Sequence, residues 1–476
     1  MSYIKYIVTL GSILVFISCI NSREKKETGG IADTFQISTW TTTADGKVLL
    51  EKQIQDLQFL KKVEGLPKVE IFPEEHLQTI DGFGYTLTGG SAQLIMRMNA
   101  GARKSLLNEV FGCGEDGNCT SFLRLSMGAS DLDESVFSYD DTKNNEPDPE
   151  LNGFTLAKDT INLIPLLKEI LAINTDIKLM ATPWSAPSWM KDNKNSKGGS
   201  LLQKYEATYA SYFVKYYQAM AQQGINIHSF TIQNEPHHGG NNPSMVMEAD
   251  QQARFIAQHL GPAFAEHQIP AKIIIWDHNC DEAAYPIEVL KDEMARPYID
   301  GSAFHLYAGD ISALSEVHQA FPEKNLYFTE QWTGAKGDFG GDLLWHIKNV
   351  VIGSLRNWSK TALEWNLAND PGFGPHTPGG CTECKGAMTI DRNNYEKNVS
   401  FYIIGHLAKF VPPGSRVIKS LIPGGLSGVA LQTPDDKMVL LLLNETDVTK
   451  SLSIAINGKN AKTEILPKAV VTYVWQ

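Results

Sequence analysis

HSFTIQNEP, residues 228–236, and NLYFTE, residues 325–330, are short apolar runs that deliver a glutamate at their ends, Glu235 and Glu330. An apolar strand that stops at a carboxylate is an unfavourable place for a charge unless it opens on a functional cavity. Six comparable stretches accompany them: TIDGFG (79–84), SFLRLS (121–126), DIKLMAT (176–182), KIIIWD (272–277), DGSAFHL (300–306) and TALEWNL (361–367). Helical patterns fall between, as in Tyr205 to Ala221, where Tyr209, Tyr212, Phe213, Tyr216 and Tyr217 recur at spacings of three and four. Eight such units between residues 78 and 408 predict an α/β fold, a (β/α)8 TIM barrel. A doubly wound open sheet shares the alternation, but no Gly-rich phosphate turn opens the first unit.

Beyond residue 408 the period changes to two. GLSGVALQT, KMVLLLLNE, LSIAIN and VVTYVW are short strands between Pro, Gly, Asn and Asp turns, which predicts a β-sandwich over 409–476. TFQISTWTTT (34–43) is also strand-like and has no partner nearby. Residues 34–77 are therefore expected to join that sandwich and tie the chain ends together. A length of 476 residues suits one large domain with a smaller one beside it.

The N-terminus reads as a targeting segment. Lys5 precedes an apolar run from Tyr6 to Ile17, too short to span a bilayer as a mature helix. Phe16-Ile17-Ser18-Cys19 resembles a bacterial lipoprotein cleavage box, with Phe where Leu is usual. On that reading residues 1–19 are the signal, Cys19 carries the lipid anchor and 20–33 form a polar tether. The protein is then exported to the outer membrane, on its periplasmic or cell-surface side; the alternative is an ordinary secretory signal cut nearby.

The formal net charge, 42 − 54 = −12, argues against nucleic acid or an anionic membrane surface as partner and suits a neutral substrate. Membrane contact is expected only through the N-terminal lipid, and the chain is expected to act as a monomer. Nine Trp and sixteen Tyr supply flat faces for sugar rings, although most aromatics belong to a core. After Cys19, five cysteines remain, an odd number that cannot all pair within one chain. Cys113 and Cys119 bracket a Gly-rich loop and could close a small disulfide. Cys381-Thr-Glu-Cys384, alone in a loop, reads as a disulfide or two free thiols rather than zinc. His237-His238 reads as subsite lining rather than a metal pair, and Asp277-His278-Asn279 as a rim hydrogen-bond network.

Active sites of such barrels lie at the C-terminal strand ends. Those ends are Gly82-Phe83-Gly84, Arg124 with Asp131, Trp184, Asn234-Glu235, Asp277-His278-Asn279, His305 with Tyr307, Glu330, and Trp365-Asn366. Retaining glycoside hydrolysis uses a protonated acid at the glycosidic oxygen and an ionised carboxylate below the anomeric carbon, with no cofactor and no metal. Strands four and seven are expected on opposite sides of the ring, with Glu235 as acid/base and Glu330 as nucleophile. Tyr307 and Arg124 are the expected donors to Glu330, and Asn234 the partner of the sugar 2-hydroxyl.

IDGFGYTLTGG, RLSMGASD, ATPWSAPSWMK, TIQNEP, FHLY, FTE and EWNLA, in this order, resemble glycoside hydrolase family 30, which includes glucosylceramidases and endo-β-1,6-glucanases. The resemblance spans about residues 35–476 and implies a barrel with a side β-sandwich and retention of anomeric configuration. It puts the acid/base on Glu235, the nucleophile on Glu330, and sugar-binding positions on Asp131, Trp184, Asn234 and Trp365. His305, Tyr307 and Arg124 complete the expected substrate site. Two departures stand out. His305-Leu306-Tyr307 replaces the His-Trp-Tyr of glucosylceramidases, and PHTPGGCTECKGAMTI (375–390) replaces the mammalian loop. The preferred substrate is a β-1,6-glucan; the alternatives are β-glucosylceramidase or exo-β-glucosidase action. A glycan-binding lipoprotein without catalysis is disfavoured by the two glutamates.

Overall fold

The computed structural model describes residues 36–56, 63 and 65–476. The signal segment, Cys19 and the tether lie outside the described residues. No helix among the described residues is long and apolar enough to cross a membrane.

Eight parallel strands close into a barrel in chain order: Gly82–Leu87, Phe122–Ser126, Lys178–Thr182, Ser229–Thr231, Lys272–Cys280, Ile299–Gly309, Asn325–Glu330 and Ser359–Asn366. Each predicted strand is present, but the first is displaced. Lys68–Thr79 belongs to the other sheet, and the barrel strand begins at Gly82. Gly82 adopts φ +149° at this junction, where an added Cβ would meet Ser121 Oγ at 2.8 Å. Only glycine turns the chain from one sheet into the other there. Gly82 to Gly84 therefore lie at the strand's start, not at its functional end.

Strands four and seven are three steps apart around the ring, not opposite. Glu235 and Glu330 thus face each other along a chord, with strands five and six filling the space between. Inside the barrel an apolar layer of Phe122, Met180, Ile274, Ala303, Tyr327 and Leu363 is fully buried. Such layering closes the barrel as a core rather than a pore.

The sandwich strands form one nine-stranded sheet. Gln36–Thr43 pairs antiparallel with Ala469–Trp475, from Ser38 opposite Val474 to Thr43 opposite Ala469, so the chain ends are tied as expected. Met438–Asn444 is buried at all seven positions. Leu440 and Leu442 pack in the sandwich's own core, while Val439, Leu441 and Leu443 pack with the barrel helices. Burial on both faces explains why this strand reads as a continuous apolar run. Helix Val399–Ala408 is buried throughout at this junction. Its His406 bonds Thr42 and Thr472 at 2.9 Å each, and burial lowers its pKa to about 3.

Candidate active site

The site is built from strand ends bent out of regular pairing. The ladder between strands five and six shifts between Trp276 and His278, and that between strands six and seven shifts between Phe328 and Glu330. Bulges of this kind re-aim side chains. Glu235, Trp276 and Asp277 hold φ of 46°, 70° and 66°, a left-handed backbone that non-glycine residues adopt at a cost. The Glu235 N–H donates to the Asp277 carbonyl at 3.0 Å, which fixes this turn against the neighbouring strand.

Arg124 is fully buried and lies beneath the cavity. Its guanidinium donates to Glu330 Oε2 at 2.6 Å, Asn234 Oδ1 at 2.6 Å and Asp277 Oδ2 at 2.8 Å. It also lies 4.7 Å from the centre of the Trp184 ring. Because Asn234 accepts through Oδ1, its NH2 is the group left for a ligand. Tyr307 donates its hydroxyl to Glu330 Oε1 at 3.0 Å. Asp277 accepts further bonds from Thr231 at 2.7 Å and Thr329 at 2.6 Å. Burial pushes the Asp277 carboxyl up, but Arg124 and His305 together hold it well below the carboxylate range.

His305, also fully buried, bridges the two carboxylate strands. Its Nε2 lies 3.1 Å from Asp277 Oδ1, and its Nδ1 lies 3.3 Å from Glu235 Oε1 and 3.8 Å from Glu330 Oε1. Burial alone would depress its pKa; the Glu330 charge and the bonds to Asp277 and Glu235 raise it to about 9. One oxygen each of Glu235 and Glu330 and one His305 nitrogen all lie within 4.8 Å of one another. Both ring nitrogens of His305 thus already have a carboxylate partner, Nε2 on Asp277 and Nδ1 on Glu235.

The two glutamates titrate as a pair. Summed over burial and surrounding charge, Glu235 is lowered, burial being outweighed by His305, and Glu330 is raised chiefly by burial, which would put a shared proton on Glu330. The direct hydrogen bonds place the proton on Glu235 instead. Glu330 accepts from a permanently charged guanidinium and a hydroxyl, whereas among the described residues Glu235 has only His305, at 3.3 Å. Charge counting agrees: Arg124 and His305 balance Asp277 and Glu330, so any further buried carboxylate is surplus. Asp131 is surplus too, raised to about 7 by burial first and the Glu330 charge second, against the Cys381 N–H.

A cavity of about 330 Å³ opens above this layer. Seven of the nine expected site residues line it: Asp131, Trp184, Asn234, Glu235, Tyr307, Glu330 and Trp365. Arg124 and His305 do not; they support the carboxylates from below. Trp184 and Trp365 pack with ring centres 5.5 Å apart. His238 lines the cavity as expected, but His237 turns away to Glu282 at 2.6 Å and to the rings of Trp276 and Tyr285. Asp277 is the buried hub of the site rather than part of a rim. Trp332 and Asn241 also line the cavity, and sequence reasoning missed both. A signal existed for Trp332, two residues past Glu330; none did for Asn241, which is delivered by a long loop. Both cysteine pairs are disulfides, and Cys381–Cys384 lies in the cavity wall.

Residues 80–411 match the glycosyl hydrolase family 30 TIM-barrel domain, and residues 414–473 match the family's beta sandwich domain. The chain belongs to glycoside hydrolase family 30. Among relatives within and around the family, the endo-1,6-beta-D-glucanase of Aspergillus fumigatus is 32% identical over 396 residues, covering 78% of this chain and 79% of the relative. The lysosomal acid glucosylceramidase of Mus musculus is 29% identical over 433 residues, covering 85% and 82%. The solved endo-beta1,6-glucanase BT3312 superposes with a TM-score of 0.86 at 33% identity, covering 92% of this chain and 99% of that one.

Proposed function

We propose that this family 30 hydrolase cleaves β-1,6-glucan with retention of anomeric configuration. The observation that carries the reading is the facing pair Glu235 and Glu330, with oxygens inside 4.8 Å of each other and unequal surroundings. Retaining enzymes hold their carboxyl groups about 5–5.5 Å apart, whereas inverting enzymes leave room for a water at about 6.5–9.5 Å. Glu330, held ionised by Arg124 and Tyr307, attacks the anomeric carbon and forms a glycosyl ester. Glu235 gives its proton to the departing oxygen, then takes one from the water that hydrolyses the ester. Asn234, positioned by Arg124, holds the sugar 2-hydroxyl. Asp131 and Trp184 hold O4 and O6 of glucose, and Trp365 closes that side. The linkage rests on the β-1,6-glucanases among the relatives.

Product analysis on β-1,6-glucan, β-1,3-glucan, xylan and glucosylceramide side by side tests this reading, with the first product anomer read by NMR. We expect gluco-oligosaccharides from β-1,6-glucan, released first as the β-anomer. Preferred turnover of glucosylceramide or xylan overturns the substrate, and an α-anomer overturns the mechanism.

We also propose that the protein is exported and lipidated on Cys19, supported by the Phe16–Cys19 box and the polar stretch behind it. Cys19→Ser should leave the protein soluble or unprocessed in a bacterial host; unchanged membrane retention without lipid by mass spectrometry refutes it.

A further inference from the structure

The stretch from Thr377 to Lys385 falls in the loop that departs from the glucosylceramidase sequences, and it fastens three rim segments together. The Thr377 N–H donates to the Asp131 carbonyl at 2.9 Å, and its hydroxyl bonds the Asn242 carbonyl. The Cys381 N–H donates to Asp131 Oδ2 at 3.2 Å. Cys384 pairs with Gly334 and Lys385 with Thr333, just past Glu330. The stretch between holds Gly379 and Gly380 and no helix; the Gly380 N–H donates to the Thr377 carbonyl at 2.9 Å, and the Asn242 amide to the Pro378 carbonyl at 3.0 Å. The Cys381–Cys384 bond adds a covalent tie at the point where the chain touches Asp131. Cys384 also packs with Leu132, Trp184 and Trp365 in one buried cluster.

We propose that the Cys381–Cys384 disulfide is a positioning element for specificity: it holds the Cys381 N–H on the Asp131 carboxylate, so that Asp131 presents a fixed accepting face to the sugar. The inference rests on the reading of Asp131 as a partner of sugar hydroxyls. Opening the bond with a dithiol breaks one S–S bond, leaves two protein thiols and converts the dithiol to its own cyclic disulfide. Glu235, Glu330 and their donors are untouched by that exchange. Chemistry at the anomeric carbon therefore persists while the sugar is held less well.

The test compares Cys381→Ser/Cys384→Ser with the parent, each with and without Asp131→Ala, on a soluble β-glucan oligosaccharide. Loss of one hydrogen bond of ordinary strength should raise KM by about three- to tenfold, with kcat changed less than about twofold. In the Asp131→Ala background the same serine pair should add almost nothing. A merely structural staple would lower thermal stability and give the same loss in both backgrounds, and that additivity overturns the proposal. So does an unchanged KM. If Asp131→Ala by itself has no effect, the sugar-binding reading of Asp131 has failed instead. Should the serine variant not fold, dithiothreitol treatment of Cys113→Ser/Cys119→Ser protein, where one disulfide among the described residues is left to open, gives the same comparison, with KM restored on reoxidation.

Discussion

At the end where the barrel strands begin, Asp81 sits among Lys178, Lys272 and Lys360 at 2.7, 3.6 and 3.8 Å, with Asp300 3.6 Å from Lys272. At the end where they finish, Arg124 and His305 face Asp277, Glu330, Glu235 and Asp131. The lower cluster has more cations than carboxylates, and its lysines keep 14–28% of their side chains in solvent. Surplus charge there is hydrated, and Asp81 is held below its ordinary pKa as burial is outweighed by the lysines. The upper cluster has more carboxylates than cations, and all six residues are more than nine-tenths buried. Its surplus raises the carboxyls in excess, as at Asp131, pushed up to about 7 by burial and the Glu330 charge. The sign and hydration of the excess charge separate a structural cluster from a chemical one.

The sharpest way to break this contrast is Glu330→Gln, which should lower kcat by at least about 10³-fold while leaving the fold intact. A mechanism-based fluorosugar should label Glu330 in the parent, and labelling of another carboxylate would overturn the assignment. Glu235→Ala comes next. It should lose about 10²–10⁴-fold on substrates with poor leaving groups and far less on activated ones. Azide should then restore turnover and yield a β-glycosyl azide; equal loss on both substrate types without rescue argues that Glu235 does not carry the proton.

Asp131→Ala should cut kcat/KM for glucosides by roughly ten- to hundredfold, the equivalent of about 1.5–3 kcal/mol for an unpaired charged hydrogen bond. A xyloside, which lacks O6, should be less affected, and equal loss on both sugars refutes the glucose pocket.

The smallest effect on rate belongs to the lower cluster. Asp81→Asn should leave kcat/KM unchanged and lower stability by about 1–3 kcal/mol, less than a fully buried pair because the lysines are partly hydrated. Asp81 has a lowered folded pKa, so its contribution is present above the unfolded value near pH 4 and fades as pH falls through the folded one. The parent and Asp81→Asn melting temperatures should therefore converge in acid. A rate effect as large as the stability effect would erase the distinction between the two ends.

The sequence by itself determined the number and order of the barrel strands, the period-two sandwich strands, the pairing of the chain ends and the two glutamates at strand ends. Each is local: an apolar run of fixed period, or a carboxylate that has no reason to end such a run unless a cavity receives it. Tertiary structure decided the rest. Lys68–Thr79 alternates too weakly to reveal that it lies between Arg416–Leu421 and Lys450–Ile456, and its neighbours supply the pairing. Arg124 and His305 carry the polarity of binding residues, yet both are fully buried under the site, because a side chain's depth depends on how the barrel tilts its strands. Asp277 became the hub through a bulge that no spacing announces. Trp332, Asn241 and the Cys381–Cys384 wall come from loops, whose positions are set by what they pack against rather than by any period of their own.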